Sequence, residues 1–464
     1  VTIMVETQLD VAGNVLDLVR AAAGPNAEAE VLVSREDQAL TRFADSYIHQ
    51  NVADSVTRVR LRLHLDGRTA VGSSTQLGDG LRELVDRTIA AARLSPHDPG
   101  WPGVIPPTPA TASGNVDEDT AAATPPERAA RVRTFVDAAG GLPTAGYFRT
   151  GYVSAAFANS AGQSLAGAAT EAALDGIART PTSDGVTRLA SPRLADIDGA
   201  ALGARAATKA RASADPVELP PGHYEVVLES DAVVDILRNL AIYGFNGKAL
   251  YERRTFVRLG EQQFDPAVSL IEDVTAPGAT GLPFDSEGTP KRRLDLVDAG
   301  VSRNVAHDRR TATQCGTEST GDSFPGARTW GPVPLAVQLL PAESTGPVGE
   351  TAGPPADSSV AALVAGVRRG LLVTDFWYTR VLDPRPVVVT GLTRNGVWLI
   401  EDGEITRPVQ NFRFTQEYPR ALAPGGVLGV GSHLVAHPGE WDRESFAAPA
   451  LHLASWNFTG GASG

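Results

Sequence analysis

The chain has 464 residues, 42% of them hydrophobic and 20% charged, which fits a folded protein with a large core and excludes a disordered one. With 54 acidic against 41 basic residues, the formal net charge of −13 disfavours nucleic acid and anionic membrane as partners. Cys315 is the only cysteine, so no intrachain disulfide can form, and no apolar run approaches the roughly 18 residues of a membrane span. The stretch Val1 to Asp10 lacks the basic start and apolar core of a secretory signal, and a cytoplasmic location is expected. The pairs Arg292-Arg293, Arg309-Arg310 and Arg368-Arg369 are isolated and form no basic patch.

Val11, Val15, Leu18, Val19 and Ala22 recur at helical spacing, and Gly24-Pro25 ends that helix. Ala29, Val31 and Val33 alternate with Glu30 and Leu32 as a short strand. A clearer strand has Val59, Leu61, Leu63 and Leu65 on one face and Arg58, Arg60, Arg62 and His64 on the other. Asp66-Gly67 then supplies a hairpin turn into Arg68–Val71. Leu81, Leu84, Val85, Ile89 and Ala92 form the stripe of a second helix. Residues 95–126 change composition to Pro, Ala, Thr, Gly and Asp and read as a surface loop or linker. Thr124-Pro125-Pro126-Glu127 has the form of a capping box with Pro at the first helical position, followed by a helix to Ala139.

Strands are predicted over 147–157 and 164–179, and a helix near 196–210. A second Pro-containing linker, 214–222, precedes a strand over 224–228, and Ser230 is placed to cap the next helix. Pro341 to Pro355 reads as an excursion before a helix over 358–369, and short β-like runs include 386–389 and 396–400. Helices cluster early and strands late. The expected fold is α+β, with an N-terminal α+β region (1–94), the loop (95–126), a central α+β region (127–213) and a β-rich C-terminal domain (222–464).

Several constellations have a chemical reading and a plain one. His433 and His437, with Glu440 three residues further on, have metal-ligand spacing only if helical, and Gly431 and Pro438 argue against a helix there. Cys315 lacks a demonstrable His partner for nucleophilic chemistry, His307 being eight positions away. Asp285, Glu287, Asp402 and Glu404 are candidate acid/base groups, but Gly288 and Gly403 favour turn chemistry. The Gly-rich run 425–431 lacks the Lys-Ser/Thr of a phosphate loop.

Four strings occur in an order that resembles the TldD/TldE (PmbA) metallopeptidase family, once described as modulators of DNA gyrase. They are Thr41-Arg42-Phe43-Ala44-Asp45-Ser46-Tyr47-Ile48-His49-Gln50-Asn51, then Phe284-Asp285-Ser286-Glu287-Gly288-Thr289-Pro290, then Gly370-Leu371-Leu372-Val373-Thr374, and last the run from Gly396 to Ile405. The resemblance covers nearly the whole chain. It implies an N-terminal α+β domain, a β-rich C-terminal domain, and a cytoplasmic dimer in which a TldD-type and a TldE-type subunit enclose a cavity for unfolded or extended peptides. It also implies that the TldD-type subunit carries His-Glu-x-x-x-His on a helix, with a cysteine ligand nearer the C-terminus.

Carried onto this chain, the motif's first His falls on Arg238, its Glu on Asn239 and its second His on Tyr243, and the 421–431 region holds no cysteine. Arginine is a permanent cation with no lone pair to give, so it repels zinc. The pattern resembles the TldE-type subunit, with no cofactor expected in this chain and zinc expected in a TldD-type partner. Ser319-Thr320-Gly321 is similar to a family feature and a candidate for the substrate groove. The plain reading of the helix is core packing by Val233, Val234, Leu237, Leu240 and Ala241, with Arg238 and Asn239 as polar surface. Two other readings stand beside it: a self-sufficient homodimeric peptidase with metal on His433 and His437, and a non-enzymatic peptide-binding or regulatory protein.

Overall fold

The computed structural model describes residues 2–110, 113–276, 278–342, 358–439 and 444–461. Glu440 and most of the 341–355 excursion lie outside the described residues. An antiparallel six-stranded sheet organises the N-terminal half, in the order Arg68–Ser74, Tyr47–Leu65, Glu28–Ala44, Thr144–Asn159, Ser164–Arg179, Asp184–Ser191. The 1–94 and 127–213 regions therefore share one sheet. The strand expected at 29–33 extends to Ala44, because its polar continuation pairs with strands on both sides. Asp45 and Ser46 turn the chain back with positive φ.

Helices lie on one face of this sheet. Thr2–Ala23 and Asp79–Leu94 pack near one end, over Val31, Val33, Val59, Leu61 and Leu63. Pro125–Ala138 and Gly199–Ala212 pack near the other, over Phe43, Phe148 and Leu174. Burial of apolar side chains on this alternate-residue face supplies the main stabilisation, at about 25 cal/mol per Å² of apolar surface. The capping box forms: Glu127 accepts from the Thr124 N–H at 2.7 Å. The 95–126 loop is irregular apart from Glu118–Ala121, yet it is tied down. Trp101 donates to Glu28 at 2.7 Å and stacks on His64, and Gln163 receives the Thr108 N–H at 2.9 Å.

The C-terminal half contains a second six-stranded sheet and a seven-stranded one. In the latter, Arg369–Asp383 pairs with both Gly222–Leu228 and Val388–Glu401. The path continues through Phe412–Glu417 and Leu451–Gly461 back to Gly222–Leu228, so five strands close into a ring. Phe376, Phe414, Tyr418 and Trp456 pack against one another in its core. The helix expected over 358–369 is Ser358–Ala365; it stops early because Arg369 is already paired with Glu401 in the ring. The architecture is α+β with a β-rich C-terminal domain.

Candidate functional site

The helix Ser230–Asn239 leaves the strand Gly222–Leu228 and buries Ala232, Val233, Val234, Ile236 and Leu237. Ser230 does not cap it. The cap position is Glu229, whose carboxylate is turned instead to Lys209 and Arg205. At its C-terminal end the helix widens into a π turn, Leu240–Gly244, with the Phe245 N–H donating to the Leu240 carbonyl at 2.9 Å. In a regular α-helix, residues five apart diverge by about 140° around the axis. An i→i+5 turn takes in one residue more, which brings positions 238 and 243 toward one face. Arg238, Ile242 and Tyr243 all line the same cavity.

That cavity, about 490 Å³, lies between the helix-free face of the N-terminal sheet and the C-terminal half. The sheet contributes Leu32, Ser34, Arg58 and Arg60; Phe284, Phe324, Trp330 and Phe446 contribute much of the apolar wall opposite. Arg238 is not loose polar surface. Its Nε donates to Glu444 at 2.9 Å, its guanidinium lies 5.6 Å from the Phe446 ring centre, and the two charged side chains are only 13% and 3% exposed. Asn239 donates back to the Asp235 carbonyl at 2.9 Å, while Asp235 receives Thr379 and Tyr418 hydroxyls.

The string 284–290 joins the two halves. Asp285 Oδ1 accepts the N–H groups of Glu287 and Thr289, each at 2.9 Å, and Oδ2 accepts that of Ser323 at 3.0 Å. Burial, then the adjacent Glu287 carboxylate, pushes Asp285 up to about 8. Glu287 receives Arg62 from the sheet at 2.6 Å and the Arg309 N–H at 3.0 Å. Burial is the largest influence and opposes its ionisation, but Arg62 together with the N–H and the charge of Arg309 outweighs it and holds Glu287 below its usual range. Arg62 and Arg309 also share Glu30. Gly288 has φ +73°, and a Cβ there would fall 2.2 Å from the Phe157 ring, so a side chain would push the halves apart. The turn reading of Asp285 and Gly288 therefore holds, with an inter-domain ion cluster added to it.

Lys291 is equally closed, donating to Glu272 at 2.8 Å and Asp322 at 2.7 Å. Ser319, Thr320 and Gly321 immediately precede Asp322 but turn toward His307: the Ser319 hydroxyl donates to the His307 carbonyl at 3.0 Å, and Thr320 Oγ1 accepts the His307 N–H at 2.7 Å. The cavity lining starts one residue later, at Asp322. His433 and His437 are not on a helix. His437 ends the strand Val435–His437, is buried, and lies 3.5 Å from Asp231, which also receives Arg188 at 2.7 Å. Burial drives His437 down to about 4. It is thus a core histidine. Cys315 is exposed at the end of Arg309–Cys315, and partial burial of the thiol raises its pKa.

Zinc is the metal that the family resemblance brings to position 238, and the side chains there do not suit it. Arg238 and Asn239 offer no imidazole or carboxylate, and the guanidinium already occupies the carboxylate of Glu444. Among the described residues, no group of three or more His, Cys, Asp or Glu is arranged to hold a metal. Arg60, Glu444 and Trp330 were not singled out by their sequence context. A usable signal existed for the first: three arginines on one strand face repel one another unless carboxylates stand opposite.

The fold and cavity define an α+β protein with a partly open, mostly apolar cavity between its two halves. The PmbA/TldA metallopeptidase C-terminal domain matches residues 221–460, and PmbA/TldA metallopeptidase domain 1 matches residues 29–92. The chain belongs to the TldD/TldE (PmbA) family of metallopeptidase-like proteins. Its fold is that of TldE from Thermococcus kodakarensis, at a TM-score of 0.84 and 17% identity, covering 97% of this chain and 99% of that one. It is also similar to a candidate modulator of a DNA gyrase from Thermotoga maritima (TM-score 0.81, 18% identity, covering 96% of this chain and all of that one, 100%). A metalloprotease from Methanothermobacter thermautotrophicus is 23% identical over 233 residues, 50% of this chain and 48% of the relative. The matched stretches span from 23% to 48% of the length of the two curated metalloproteases it resembles. No described helix is long and apolar enough to cross a membrane.

Proposed function

We propose that this chain is the metal-free, TldE-type subunit of a two-subunit cytoplasmic zinc peptidase, with the zinc in a TldD-type partner and unfolded or extended peptides as substrates. One observation carries the reading: a helix and π turn form the segment to which the resemblance assigns the metal motif, while Arg238 at the first ligand position is locked to Glu444. A buried arginine paired in this way favours a fixed structural role and disfavours a cation beside it. In this reading the chain completes and shapes a chamber, excludes water from it, and holds peptide in position for the partner's chemistry. In isolation it pairs with itself.

The test is co-expression with a TldD-type subunit, followed by native mass measurement, metal analysis and peptide hydrolysis. A one-to-one complex that holds zinc and cleaves peptides only when both chains are present is the expected result. Cleavage by the partner that is indifferent to this chain would end the proposal. Stoichiometric zinc in this chain alone, lost in His433→Ala, would instead favour the homodimeric peptidase.

A further inference from the structure

Several cations meet at the central cavity, and those on the sheet wall, Arg58 and Arg60, have no carboxylate at hydrogen-bond distance among the described residues. Arg238 is held by Glu444, and Lys291 by Glu272 and Asp322. Arg62, just beyond the cavity on the same strand, is shared by Glu30 and Glu287. Arg60 lies between them, points from the same strand face, and lines the cavity. It forms no hydrogen bond or ion pair with any other described residue. Burial, then the like charge of Arg62, make its protonated form less favourable than in water, and the charges of Glu30 and Glu287, beyond ion-pair distance, offset this only in part. A guanidinium held in such a place is a strong, geometrically selective site for a carboxylate, because its fork matches both oxygens at once.

The surroundings narrow the kind of carboxylate. Strand register puts Leu32 directly beside Arg60. Phe284, Phe324 and Trp330 share the cavity with them. A volume near 490 Å³ is within the range of sites that enclose a small ligand. An inorganic anion would satisfy Arg60 but leave this apolar wall uncovered. A peptide end satisfies both.

We propose that the cavity binds the C-terminus of a short peptide, with its free carboxylate on Arg60 and an apolar or aromatic last side chain against Phe284, Phe324 and Trp330. The inference rests on the preceding reading only in taking the ligand to be a peptide. It assigns this subunit its own binding determinant, one that reads the end of a chain.

The experiment is calorimetric titration of the full chain, without any partner, with N-acetyl-Leu-Phe as the free acid and as the C-terminal amide. The free acid is expected to bind saturably, and the amide roughly tenfold or more weakly, since a charge-assisted bidentate contact is lost. Arg60→Gln should reduce the acid to the level of the amide. Trp330→Ala should weaken both ligands by a similar factor and keep their ratio. Equal affinity for acid and amide, or an unchanged ratio in Arg60→Gln, overturns the proposal. So does displacement of the peptide by an equal concentration of inorganic phosphate. Where Arg60→Gln does not fold, Arg60→Lys serves: it keeps the charge, loses the fork, and should bind the acid several-fold more weakly, and undiminished binding overturns the proposal. Peptide binding that fails while the two-subunit complex forms refutes this inference alone; the reverse refutes the subunit assignment alone.

Discussion

The two walls of the central cavity treat charge in opposite ways. On the C-terminal wall each cation has a carboxylate at hydrogen-bond distance, as in Arg238 with Glu444 and Lys291 with Glu272 and Asp322. On the sheet wall, Arg62 is closed by Glu30 and Glu287, while Arg60 stands two residues away with no such partner. A closed pair is rigid and indifferent to ligands. An open guanidinium is held ready for one. The difference separates groups that build the cavity from a group that serves what enters it.

The comparison can be broken most decisively at Arg62. Arg62→Met leaves two almost fully buried carboxylates short of a cation, with only Arg309 remaining on Glu30 and its N–H on Glu287. Removing one side of such a cluster is expected to destabilise the fold by roughly 3–5 kcal/mol, measured by urea unfolding at neutral pH. A loss below about 1 kcal/mol would show that the cluster is not what joins the halves. Arg238→Met tests the opposite wall and removes the buried ion pair with Glu444, with an expected loss of about 2–3 kcal/mol. No loss there would remove the distinction between the walls.

A smaller effect comes from Asp285, raised to about 8 by burial and then by Glu287. Its pKa in the unfolded chain lies near 4. Between those values the folded state keeps a proton that the unfolded chain has released. Stability therefore falls as pH rises through the window, by on the order of 1 kcal/mol per pH unit. Urea midpoints at pH 6 and pH 8 check the sign, and Asp285→Asn should flatten the slope. The smallest change sharpens the contrast most. Arg60→Met breaks no pair, so its unfolding free energy should stay within about 0.5 kcal/mol of the parent or rise. A loss as large as that of Arg238→Met would mean that Arg60 is structural.

Much of this was legible in the sequence because it rests on local patterns. The Val59–Leu65 alternation fixed which strand face meets the helices, and Thr124 to Glu127 marked a helix start that the structure forms. Ordered strings such as 284–290 pointed to the family. What escaped depends on partners distant in the chain. Glu444 lies 206 positions from Arg238, and Arg62 lies 225 positions from Glu287. No periodicity reports such pairings. The same holds for Trp101, whose place against Glu28 and His64 turns an apparent linker into packed structure, and for His437, buried against Asp231. Ser230 misled for a nearer reason: Ser is a favoured cap, but Glu229 one residue earlier takes that backbone position.

The π turn at Leu240–Gly244 constrains how this segment can be altered. It takes in one residue more than an α-helical turn, so deleting a single residue within it would restore ordinary i→i+4 bonding. The same deletion would break the spacing of the motif positions: residues facing the cavity would again stand four apart, and positions spaced as 238, 239 and 243 would no longer converge on it. The π turn rests on backbone bonding, so exchanging a side chain at 238, 239 or 243 leaves its spacing in place, whereas changing the number of residues does not. For protein engineering the segment is therefore a fixed-length cassette: its chemistry is open to rewriting one position at a time, and its spacing is not.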